Sequence, residues 1–91
     1  MAITFYDLEN KKTLLFSISD IEIVKYNNII NLFNLKYNNL FDEYGDFKLH
    51  ENHIFYLIQS MRENKDFSFD AFFQFLIEVK EQNKELLVIG N

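Results

Sequence analysis

Between Thr13 and Tyr37 the spacing of the apolar residues changes, and it changes at one point. Before that point Leu14, Phe16 and Ile18 alternate with Thr13, Leu15 and Ser17, the period of a strand whose side chains take opposite faces. After it Ile23, Tyr26, Ile30, Phe33 and Tyr37 recur at three and four residues, the spacing of one helical face, with Ile29 and Leu32 widening the stripe. The join is Ser19-Asp20, which supplies side-chain oxygens able to accept from the free N–H groups of a first helical turn. Glu22 adds a carboxylate where the helix dipole favours one. A chain built this way carries both strand and helix in one short stretch, and the α+β class is the expected one. The polar side of the helix holds Lys25, Asn27, Asn28, Asn31 and Asn34, and asparagine is a mediocre helix former, so packing must hold the helix. Asn38-Asn39 is the expected end.

The same reading extends in both directions. Ile3 to Leu8 is rich in β-formers and alternates, and Glu9-Asn10-Lys11-Lys12 is a polar turn, so the chain opens as a β-hairpin. Leu40 to Leu49 reads as a loop between helices. His50 to Arg62 is a second helix with Ile54, Leu57, Ile58 and Met61 buried, and Glu63-Asn64-Lys65-Asp66 is a polar connection. Ser68 is the expected cap of a third helix, with Asp70 and Ala71 in its first turn. Phe69, Phe72, Phe73, Leu76 and Val79 form its apolar side, and Phe75 and Ile77 make a second side partly apolar, the mark of a helix that is central or covered by a partner. Glu81-Gln82-Asn83-Lys84 breaks the pattern, and Leu86-Leu87-Val88-Ile89 is a final strand stopped by Gly90. The expected architecture is one α+β domain over residues 1–91 in the order β-β-α-α-α-β. The last strand returns beside the hairpin to give a three-stranded sheet with helices on one face, because a lone strand must satisfy its backbone groups somewhere.

Composition narrows the function classes. The absence of cysteine removes disulfides, thiolate nucleophiles and Cys-based zinc sites, and it fits a reducing compartment. The first residues lack the basic and long apolar regions of a signal peptide, and no run approaches the roughly 20 apolar residues of a membrane helix, so the cytoplasm is the expected location. A net charge of −5 and a single arginine, Arg62, argue against nucleic-acid binding, which depends on clustered Lys and Arg. His50 and His53 stand three residues apart, a spacing that puts both on one helical face beside Asp46 or Glu51; it is not the zincin spacing, and no metal or other cofactor is expected. Asp42-Glu43-Tyr44-Gly45-Asp46 lacks the register of an EF-hand, and the chain has no phosphate loop or nucleophile elbow. No catalytic residue is assigned, and an enzyme is not expected. The phenylalanine stripe from Phe67 to Phe75 reads as core rather than as an aromatic binding box.

The exception to this bland surface is Leu40-Phe41-Asp42-Glu43-Tyr44-Gly45-Asp46-Phe47-Lys48-Leu49, the tightest acidic cluster in the chain. Phe41 and Phe47 can anchor such a loop in a core while Asp42, Glu43, Tyr44 and Asp46 face water. Phe5-Tyr6-Asp7-Leu8-Glu9 followed by Leu15-Phe16-Ser17-Ile18-Ser19 resembles the opening hairpin of small bacterial toxin-immunity proteins. Phe41-Asp42-Glu43-Tyr44-Gly45-Asp46 resembles their inter-helix turn. The resemblance, to immunity proteins of contact-dependent growth inhibition and other polymorphic toxin systems, covers about a quarter of the chain. It implies a protein without catalytic residues that neutralises one cognate toxin by binding it; separately, a monomer or small homo-oligomer is expected. An acidic inhibitor suits a basic nuclease toxin, and Asp42, Glu43, Tyr44 and Asp46 are the expected partner-binding residues. Two other readings stand beside it: a nucleic-acid-mimicking anti-defence inhibitor of phage type, and a structural subunit whose third helix is buried in a homo-oligomer.

Overall fold

The computed structural model describes residues 2–90. Strands β1 (Ala2–Asp7) and β2 (Leu14–Ser19) form the hairpin, and a 3-10 segment (Glu22–Tyr26) leads into helix α1 (Asn27–Lys36). Strand β3 (Asp46–Leu49), helix α2 (Glu51–Arg62), a 3-10 turn (Lys65–Phe67), helix α3 (Ala71–Glu81) and strand β4 (Leu86–Gly90) complete the chain. The α+β class, the hairpin, the helices and the returning strand are as the periodicity predicts.

The sheet has four strands rather than three, in the order β2-β1-β4-β3, and every neighbouring pair is antiparallel. The correction lies within the stretch read as a loop: Asp46-Phe47-Lys48-Leu49 alternates exposed and buried positions and pairs with β4. β4 is therefore an interior strand, and Gly90 lies within it opposite Ile3 instead of merely stopping it. One row of partners, Phe16, Phe5, Val88 and Phe47, crosses all four strands and faces the helices. The neighbouring rows, Ile18–Ile3 and Leu86–Leu49, are buried on the same face. Thr4, Tyr6, Leu87 and Ile89 belong to the other face and are half-buried.

Aromatic rings fill the space between sheet and helices in two groups. Phe72 and Phe75 of α3 lie 5.3 and 5.8 Å from the ring of Phe5, and Phe75 stacks on Phe16 at 4.7 Å. Phe33 and Tyr37 meet His53 and Tyr56 of α2, and Phe33 meets Phe41. Such rings each bury on the order of 150–250 Å², so they carry much of the apolar burial. Phe72, Phe73 and Phe75 are all buried within the chain itself.

The helix ends follow capping chemistry. At the start of the first helical segment Ser19 Oγ accepts from Glu22 N at 3.1 Å and Glu22 Oε1 accepts from Ser19 N at 3.3 Å, a reciprocal capping box. Asn38 and Asn39 take positive φ and end α1, with Asn39 N donating to Asn34 O. Asn83 does the same after α3, with Lys84 N donating to Val79 O. The cap of α3 is Asp70 and not Ser68: Asp70 Oδ2 accepts from Phe72 N and Phe73 N, at 3.0 and 3.1 Å. Ser68 bonds instead to Lys65 O in the preceding turn, so Phe69 falls outside the helix and is 96% exposed, against the expectation that it packs.

Candidate partner-binding surface

The acidic stretch is held at both ends and across its middle. Phe41 and Phe47 are buried with ring centroids 4.7 Å apart, so the loop leaves the core and returns to it within a few residues. Asn34 of α1 grips the backbone of Phe41 twice, accepting from its N–H at 2.8 Å and donating to its carbonyl at 3.0 Å. Asn34 thus serves the loop instead of standing on a solvated helix face. At the far side Gly90 N donates to Gly45 O at 3.0 Å, tying the loop to the end of β4. The contact is close enough that a Cβ on Gly90 would lie 2.2 Å from the carbonyl oxygen of Glu43. Only a residue without a side chain lets the two backbones approach this far.

Within that frame the four residues expected to bind a partner divide their roles. Asp42 Oδ1 accepts from Tyr44 N at 2.9 Å, an Asx turn that shapes the loop from inside. Asp42 is therefore a structural residue as well as a surface charge. Glu43 is half-buried, Asp46 is exposed at the start of β3, and Tyr44 is 72% exposed between them. An aromatic this exposed in a fixed turn, surrounded by carboxylates, presents a rigid apolar body inside a negative field.

The structure adds neighbours that the sequence alone does not bring to the loop. A cleft of about 250 Å³ runs between Glu43 and Tyr44 on one side and Ala2, Ser19, Asp20 and Val24 on the other. Val24 is exposed because it lies off the buried stripe of Ile23, Tyr26 and Ile30, and Ile21 beside it is 83% exposed. Their only sequence signal is an apolar residue out of phase with the helical period. The surface is thus an apolar notch, Val24 and Tyr44, rimmed by Asp20 and Glu43.

The two histidines serve the start of α2. His53 Nδ1 accepts from His50 N at 2.9 Å, and Glu85 Oε2 accepts from Glu51 N and lies 3.0 Å from His50 Nδ1. A carboxylate from the residue just before β4 therefore caps α2, a helix that precedes it in sequence. Burial, with His50 adding to it and Glu85 opposing, holds the His53 imidazole below its ordinary pKa and so keeps it a neutral acceptor. Among the described residues no group of three or more His, Asp or Glu side chains converges to hold a metal ion. No helix of the described residues is long and apolar enough to cross a membrane.

The buried polar centre lies elsewhere, at Asp70. Tyr26 donates its hydroxyl to this carboxylate at 2.7 Å, and Lys25 pairs with it. Burial pushes the Asp70 carboxyl up, but Lys25, Tyr26 and the Phe73 N–H outweigh burial and hold it below its ordinary value. This network joins the 3-10 segment to α3, and Lys25, Tyr26 and Asp70 do not line the notch.

Comparison of the chain with protein-family models, with curated proteins and with solved structures finds no match.

Proposed function

We propose that this chain is a toxin-immunity protein, which binds and neutralises a cognate bacterial protein toxin through the surface around Asp42, Glu43, Tyr44 and Asp46, in the cytoplasm and without catalysis. The observation that carries the reading is the rigid presentation of Tyr44 among carboxylates, on a loop fixed by Asn34, Asp42 and Gly90. A pre-ordered loop loses little conformational freedom on binding, and tyrosine is enriched among residues that dominate interface energetics. The carboxylates suit a basic partner such as a nuclease, whose approach they accelerate. The sequence resemblance to immunity proteins points the same way.

The test is co-expression with, and binding to, the protein toxin encoded beside this chain. Wild type binds it and restores growth. Tyr44→Ala raises the dissociation rate and weakens binding by about 2 kcal/mol, as truncating a central anchor does. Glu43→Lys/Asp46→Lys lowers the association rate, most strongly at low salt. Gly90→Ala, which changes no exposed side chain of the loop, displaces Glu43 and weakens binding as well. Failure of wild type to bind or protect refutes the immunity assignment. Full protection by the loop variants places the interface elsewhere.

A further inference from the structure

We propose that two copies of this chain pair edge to edge along β2, joining their sheets into one continuous antiparallel sheet. The sheet has two free edges, β2 and β3. β3 is four residues long and carries Asp46 and Lys48, charges of the kind that keep an edge from pairing. β2 is six residues long, Leu-Leu-Phe-Ser-Ile-Ser, with no charge and no proline. Its one irregularity, the register shift opposite Phe5 and Tyr6, lies at the turn end and leaves the pairing from Phe16 to Ser19 regular. Leu14, opposite Tyr6 on the outer face, is exposed, and Phe16, on the helix face, is half-buried over Phe75, so apolar side chains stand on both faces of this edge.

The flanks of β2 name the occupant. Exposed Lys11 and Lys12 precede the strand, and exposed Asp20 and Glu22 follow it. A two-fold axis through the middle of the strand brings the lysine end of one copy to the acidic end of the other, and the reverse, so each contact occurs twice. A partner strand of arbitrary sequence lacks this match, whereas a second copy has it by symmetry. The proposed contact shares Asp20 with the notch, and its test is made on the chain alone, without toxin.

Mass is measured by light scattering across a dilution series, together with disulfide trapping, which a chain without cysteine makes unambiguous. The expected result is a dimer that dissociates on dilution. Ser17→Cys, at an exposed position of β2, cross-links the two copies under mild oxidation, and Lys48→Cys on β3 does not. Lys11→Glu/Lys12→Glu weakens the dimer about tenfold, and adding Asp20→Lys restores it in part. Far-UV circular dichroism confirms that each variant is folded, and these positions are all exposed. A monomer at every concentration overturns the proposal. So does a dimer trapped through Lys48→Cys but not Ser17→Cys, or one indifferent to reversal of the lysine charges.

Discussion

Removing the carboxylate of Asp70 tests how the domain is tied together, because the 3-10 segment and α3 meet on it. In Asp70→Ala the N–H groups of Phe72 and Phe73 lose their acceptor, and loss of a cap costs about 0.5–2 kcal/mol. The Tyr26 hydroxyl is left buried without a partner, which costs about 1–3 kcal/mol more. Lys25 is half exposed and recovers its hydration, so its contribution is at most about 1 kcal/mol. The sum is about 1.5–6 kcal/mol, a large part of the stability of a small domain. Tyr26→Phe removes one bond to a charged acceptor but keeps the ring against Phe67 and Phe72, and costs about 1.5–3 kcal/mol. The double variant costs less than the two singles together, because the orphaned hydroxyl is then gone; the coupling is about 1–3 kcal/mol. Urea unfolding at neutral pH measures each value, with an unchanged slope as the check on two-state behaviour.

The pH dependence has a determined sign. Asp70 is held below its ordinary value, so its contribution is complete above about pH 4 and is lost as pH falls through the folded-state value. Burial, then the bond and charge of Asp70, raise the Tyr26 phenol above its ordinary value, so it stays a donor throughout the neutral range. Tyr26→Phe should therefore shrink the acid-induced loss. A loss under about 1 kcal/mol in Asp70→Ala, with the two single effects additive, refutes this account of the network.

Two further predictions concern the core and the α2 cap. Phe72→Ala empties a fully packed site and lowers stability by about 3–5 kcal/mol, whereas Phe69→Ala changes it by less than about 0.5 kcal/mol; equal melting of the two variants contradicts the burial assignment. His53 is held below its ordinary pKa, so the unfolded chain takes up its proton first and stability falls as pH drops below about 6.5, down to the folded-state value. Denaturant midpoints across that range should show the loss in wild type and not in His53→Gln, and an equal loss in both removes His53 as its source.

What the sequence reveals here is the local part of the fold. Periods of two and 3.6, the asparagine pair at the end of α1 and the polar breaks act within a few residues, and each element they define is present. What it hides is set by distant partners. Asp46-Phe47-Lys48-Leu49 alternates, but four residues between two helical patterns become a strand only because Leu86–Ile89 lies alongside. Ser68 and Asp70 are both competent caps, and the choice is made by Tyr26 and Lys25, more than forty residues earlier. Asn34 resembles its solvated neighbours until Phe41 comes within reach of its amide.

The same distinction applies to the candidate site. Exposure of Tyr44 follows from a tyrosine flanked by carboxylates between two buried phenylalanines, which is local. The notch is not, since Val24 and Asp20 reach the loop only through the packing of the hairpin and the 3-10 segment. Gly90 shows the difference most sharply. As a sequence signal it marks the end of a strand, yet its physical role is to let the Glu43 carbonyl cross β4 at a distance no side chain permits. The position of Tyr44 is therefore fixed from the end of β4, one of the sheet's two interior strands. The proposed binding surface depends on the order of β4 at Gly90, and loosening that end of the strand should cost affinity before it costs the fold.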